Sequence, residues 1–61
     1  MSSESRFADV KRMLEAKGYR LTRISGSHHV FTKAGMRSVP IPVHNGKVKP
    51  GYVRMIGKLE A

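Results

Sequence analysis

Three histidines and one arginine are the residues of this 61-residue chain best suited to chemistry: His28, His29, His44 and Arg23. Histidine is the side chain that titrates nearest physiological pH. One imidazole can take the proton from a ribose 2′-hydroxyl, or protonate a departing 5′-oxygen, and such help is worth about 10²- to 10⁴-fold. An arginine can hold a phosphate in a bidentate fork while charge builds on it. Together these groups suit cleavage of an RNA backbone without a metal or another cofactor. The plainer alternative for His28-His29 is a pair of strand residues, one facing inward and one outward, with no chemistry.

Other chemistries find little support. The chain has no cysteine, which excludes a disulfide framework and a thiolate metal site. Metal coordination would rest on three histidines and four acids, with no short ligand cluster among them. No apolar run approaches the roughly 20 residues needed to span a bilayer. The opening MSSESRF has no apolar stretch of signal-peptide length, so the expected compartment is the cytoplasm.

Charge narrows the class of partner. Twelve Lys and Arg stand against four acids, a net of +8. Glu4, Asp9 and Glu15 lie near the start and Glu60 at the end. Between Ala16 and Leu59 there is no acid, but there are nine basic residues: Lys17, Arg20, Arg23, Lys33, Arg37, Lys47, Lys49, Arg54 and Lys58. Unbalanced like charge costs a small domain self-repulsion. A polyanion turns it into affinity through counterion release. Neither helix described below is basic on one face with large aromatics opposite, so nucleic acid fits better than a membrane surface.

The elements that must position these groups are legible in outline. Sixty-one residues make one domain, residues 1–61, which buries only about 60 % of the surface its unfolded chain exposes. Phe7, Val10 and Leu14, with Met13 beside them, form an apolar stripe that predicts a helix over residues 5–17. Ser5 or Ser3 can cap its start, and Gly18 stops it. Three strands follow: 19–24, then 27–33 after a turn at Ser25-Gly26, then Val39–Val43 after a turn at Ala34-Gly35-Met36. Pro40 and Pro42 remove two N–H donors from one side of the third strand, which makes it an edge. A loop from His44 to Lys49 leads to Pro50, a favoured first residue of a helix. Tyr52, Val53, Ile56 and Leu59 then form a second stripe. The expected class is α+β, with order α-β-β-β-α: a three-stranded antiparallel meander carrying both helices on one face.

Register arithmetic on these hairpins gathers the candidate residues. A tight first turn sets Arg23 opposite or near His28. The end of the third strand lies beside the start of the second, which brings His44 near Gly26, Ser27 and His28. Strand parity does not decide which of His28 and His29 faces the helices, because one extra residue in either turn exchanges them. A second phosphate site is suggested before the last helix. Lys47 and Lys49 precede Pro50-Gly51, where free N–H groups and the positive dipole end attract anions. With Arg23 and Arg37 they are the candidate RNA phosphate contacts.

These residues also carry a resemblance. Gly26-Ser27-His28-His29-Val30-Phe31, then Val39-Pro40-Ile41-Pro42-Val43-His44, then Gly51 and Ile56 in a closing helix, resemble the HicA toxins (the YcfA-like family). Leu14-Glu15-Ala16-Lys17-Gly18-Tyr19 resembles that family's first helix and its glycine-plus-aromatic exit. The likeness covers roughly residues 7 to 59. It implies a fold similar to double-stranded-RNA-binding domains, metal-independent cleavage of messenger RNA by a histidine of the second strand, and inhibition by a cognate HicB-type antitoxin. The catalytic role carries to His28, with Gly26 and Ser27 as motif positions. His44 matches a frequent family histidine, and Arg23 and His44 enter as catalytic support through proximity alone. Lys33-Ala34-Gly35-Met36 departs from the family's more polar hairpin turn.

Two other classes of function compete. A non-catalytic double-stranded-RNA binder needs only the same element order and the lysines before the last helix, although such binders usually span about 16 base pairs. A module that docks an acidic protein needs only the positive surface. Neither needs the Gly-Ser-His motif.

Overall fold

A computed structural model describes residues 4–59. The helix α1 (Phe7–Ala16) is preceded by a two-residue strand β1 (Ser5–Arg6). The strands β2 (Arg20–Ser25), β3 (His28–Thr32) and β4 (Val39–Pro42) follow, then a short β5 (Lys47–Val48) and the helix α2 (Pro50–Gly57). The α+β class and the α-β-β-β-α order are those expected from the sequence.

The core explains this arrangement. Val10 and Leu14 of α1, Phe31 of β3, Val39 and Ile41 of β4, Val48 of β5 and Ile56 of α2 are buried together, with Tyr19 beside them. Val10 and Leu14 lie four apart on one face of α1, and Phe31, Val39 and Ile41 occupy alternate positions of their strands. Each periodicity presents its apolar residues to the same side. Both helices therefore cover one face of the β2-β3-β4 sheet. The opposite face is uncovered: Arg20, Arg23, Ser25, His28 and Pro40 are exposed, and none of its residues is buried.

β4 is an edge strand, as its prolines require. It pairs with β3 through His28↔Pro42, His29↔Ile41, Val30↔Pro40 and Phe31↔Val39. The Val43 N–H donates to Ser27 O at 2.7 Å. The odd-numbered residues thus point their donors at β3, and Pro40 and Pro42 leave the outer side without donors, which protects it from further pairing.

Three features depart from the sequence reading. The helix α1 begins at Phe7 and not at residue 5, because Ser5 and Arg6 are taken into pairing with Val48 and Lys47. Its N-cap is therefore Arg6, with no side-chain cap bond; Ser5 does not cap it, and Ser3 lies outside the described residues. Residues 44–49 are not a plain loop. His44 and Lys47 exchange backbone hydrogen bonds of 3.0 and 2.9 Å around Asn45 (φ 53°) and Gly46 (φ 72°). Positive φ at both central residues marks a type I′ hairpin, and Asn-Gly is its strongest sequence signal. Finally, β2 carries a bulge between Leu21 and Arg23.

Two of the nine basic residues serve the fold. The Lys33 ammonium donates to Lys17 O at 2.9 Å and lies 5.6 Å from the centre of the Tyr19 ring. A cation there favours the negative end of α1. Lys17 in turn donates to Leu59 O at 2.9 Å, tying the two helix ends together. Gly18 turns the chain at φ 91° between them, a conformation that glycine adopts without strain.

Candidate active site

The bulge in β2 places the first candidate groups. Without it, Leu21, Arg23 and Ser25 would share one face. With it, Leu21 pairs with Phe31 and Ile24 with His29 on the helix side, whereas Arg23 pairs with Val30 and Ser25 with His28 on the uncovered side. A bulge re-aims side chains in this way while adding local twist. The Thr22 hydroxyl donates to Val30 O at 3.3 Å and accepts from the Thr32 hydroxyl at 3.4 Å, so the bulged segment is fastened across β3.

The turn before His28 sets the register. Ser25 and His28 face each other across Gly26-Ser27, and Gly26 takes φ 58°. Ser27 is not among the residues of positive φ. Glycine at the first central position alone is the type II′ pattern, which matches the twist of the strands. Gly26 and Ser27 are therefore the turn that holds His28 at the end of β3, beside Ser25 on one side and Pro42 on the other.

The two adjacent histidines have different environments. His28 is exposed on the uncovered face. His29 faces the helices and is half-buried, its ring 4.5 Å from that of Phe7 at an angle of 52°. Its Nδ1 is buried without a hydrogen-bond partner. His29 is thus part of the packing under α1, and His28 is the histidine a large substrate can reach.

Arg23 sits one diagonal from His28, since Arg23 opposes Val30 and Ser25 opposes His28. Diagonal neighbours on a sheet have Cβ atoms roughly 7–8 Å apart or less, within reach of a long side chain. His44 follows Val43, whose N–H is bound to Ser27 O, so it emerges at the same end of the sheet and is exposed. His28, Arg23 and His44 therefore collect at one corner, as the register arithmetic expects. Lys47 and Lys49 are exposed on either side of the buried Val48, and Lys49 is the residue before Pro50 at the start of α2. No side chain caps that helix end and no acid occupies its first turn. Arg37 is not brought to the corner. It precedes β4 at the other end, five residues from Pro42 or roughly 16 Å of extended chain, beside a groove of about 340 Å³ lined by Tyr19, Val39, Met55 and Leu59.

Among the described residues no three His, Asp or Glu side chains gather closely enough to hold a metal ion. Among them also, no helix is long and apolar enough to cross a membrane.

A bulged three-stranded sheet, covered by two helices on one side and exposing a histidine and arginines on the other, defines a small basic α+β protein with an open site. Over residues 7–60 the chain matches the family described as the HicA toxin of bacterial toxin–antitoxin systems, and it belongs to that family. Membership makes it the toxin component of such a system, with a cognate antitoxin as partner. No curated protein and no solved structure matches the chain beyond chance.

Proposed function

We propose that this toxin is a metal-independent endoribonuclease that cleaves mRNA in the cytoplasm, with His28 as its general acid–base residue. The observation that supports this most is the difference between the paired histidines: His29 is packed on Phe7, whereas His28 is open beside Ser25, Pro42 and Arg23.

The reaction needs a base for the ribose 2′-hydroxyl, an acid for the 5′-oxygen and a cation for the phosphate between them. As the 2′-oxygen bonds to phosphorus, the bond from phosphorus to the 5′-oxygen breaks, leaving a 2′,3′-cyclic phosphate and a 5′-hydroxyl. His28 accepts the 2′-hydroxyl proton or delivers one to the 5′-oxygen, and His44, at the same corner, supports the complementary transfer. Arg23 holds the non-bridging oxygens as their charge grows. Gly26 and Ser27 fix the turn on which this depends. Lys47, Lys49 and Arg37 contact phosphates away from the cut.

The test is a substrate with a single deoxyribose at the cut position. It should resist cleavage while its all-ribose parent is cut, and cleavage of the parent should persist in EDTA. Scission at the deoxyribose position, or loss of activity on chelation, would falsify this mechanism. RNA retained on the protein but never cut would instead favour a non-catalytic RNA-binding module. A second expectation concerns the lysines. The double substitution Lys47→Ala/Lys49→Ala should flatten the dependence of log affinity on log salt by up to about 1.4, at roughly 0.7 per phosphate on a single strand. An unchanged slope removes both lysines from the interface.

A further inference from the structure

The pairing of β1 with β5 places a residue that no sequence pattern singles out. Arg6 stands directly opposite Lys47. Lys47 is in turn the bridge partner of His44 across the Asn45-Gly46 turn. Directly opposed residues of an antiparallel ladder project to the same face, with Cβ atoms roughly 4.5–5.5 Å apart. His44, Lys47 and Arg6 therefore form a row across three extended segments, about 10 Å from end to end by the same spacing. All three are exposed.

The row is firmly held. The Phe7 N–H donates to Gly46 O at 2.8 Å, the turn is of the tight I′ kind, and Val48 beside Lys47 is fully buried. Yet like charges set directly opposite one another destabilise a ladder. Among the described residues no carboxylate relieves them. Among the described residues, Asp9 is paired with Arg12 and Glu15 with Lys11, both at 3.6 Å, and the exposed Glu4 makes no ion pair. A rigid, unneutralised cation pair extended by an imidazole is suited to a chain of anions.

We propose that the Arg6–Lys47–His44 row binds the RNA backbone, with His44 at the phosphodiester being cut and Lys47 and Arg6 holding the one or two next to it. Its His44 end begins at the corner where Val43 is bonded to Ser27, and Arg6 is its outer end. Substrate thus runs from His28 across the hairpin and over β1. The proposal rests on the RNA reading of the His28 corner and adds Arg6 to it.

The experiment measures binding of a single-stranded RNA oligonucleotide over a range of salt, in the His28→Ala background so that the RNA is not consumed. Arg6→Gln should lower the slope by about 0.7, and Arg6→Gln with Lys47→Gln by about twice that. Arg12→Gln, on the exposed side of α1, should leave it unchanged. Arg6→Glu gives a sharper readout, because it replaces a like-charge pair with an opposite one. It should raise the melting temperature at low salt while losing RNA affinity, opposite movements that a merely structural Arg6 would not produce. A folded Arg6→Gln variant with the parental slope overturns the row. So does an unchanged RNA slope with weakened antitoxin association, which would assign the row to the protein partner. Cleavage by the unmodified toxin is scored separately. Cleavage with an Arg6-independent slope overturns the row alone, whereas Arg6-dependent binding without cleavage supports the row and overturns the nuclease reading. Absence of RNA binding overturns both.

Discussion

His28→Ala should reduce RNA cleavage by at least about 10²- to 10⁴-fold, the usual worth of a positioned acid–base group, and should leave the fold unchanged. The second half of that expectation follows from position. His28 is exposed on the uncovered face, and surface substitutions away from special features usually move stability by no more than about 0.5 kcal/mol. Its neighbour provides the internal control. His29→Ala removes a ring that packs 4.5 Å from Phe7, a contact worth about 0.5–1.5 kcal/mol beyond its buried area. For a domain of this size each kcal/mol lowers the melting temperature by roughly 4–8 °C. The His29 variant should therefore melt several degrees lower yet cleave at nearly the native rate while folded. Circular dichroism melts and a cleavage time course on both variants decide the matter. A His28 variant that cuts at the native rate sinks the assignment. A His29 variant that stays as stable as the parent but loses all cleavage would move the catalytic role to the half-buried imidazole.

That contrast was not legible in the sequence, and the reason is local. Both faces of His28–Lys33 hold an apolar residue, so alternation alone leaves the two histidines equivalent. The bulge at Leu21/Arg23 breaks the tie for β2, because it turns Arg23 and Ser25 toward the face of His28. A bulge leaves no reliable mark on a short strand rich in polar residues. Prolines and glycines read better, since each constrains the backbone directly. Pro40 and Pro42 locate the edge, Gly18 ends α1 and Pro50 begins α2. The hairpin around Asn45-Gly46 carried its own signal, but only two residues, Val43 and His44, separate Pro42 from Asn45, and the segment resembles a loop in composition. The pairing of Ser5–Arg6 with Lys47–Val48 is different in kind. It joins segments about forty residues apart in the chain, beside the buried Val48. No local pattern could reveal Arg6 as a neighbour of Lys47.

Phe31→Ala should abolish the fold outright, and with it every activity of the toxin. Phe31 is fully buried at the centre of the sheet, among side chains from both helices and β4, and its ring lies 6.1 Å from that of Phe7. Truncating a buried phenylalanine costs about 3–5 kcal/mol, part of it the cavity that remains. One core in a domain below about 70 residues rarely supplies more than 3–5 kcal/mol in total. The loss and the whole stability are thus of the same size, and most of the variant should be unfolded at 37 °C. Phe31→Leu keeps most of the volume and should melt cooperatively at a lower temperature. The partner separates this inactivity from that of His28→Ala. A ligand that binds only the folded state adds RT ln(1 + [L]/Kd), about 4 kcal/mol at a thousandfold excess over Kd. Excess cognate antitoxin should therefore restore helical dichroism to Phe31→Ala, beyond the sum of the separate spectra, whereas His28→Ala needs no such help. If Phe31→Ala alone melts within a few degrees of the parent, the core does not depend on this ring. The stability of the sheet that carries His28 must then come from elsewhere, the helix ends joined by Lys17 and the tie of Lys33 to the end of α1 being the first places to look.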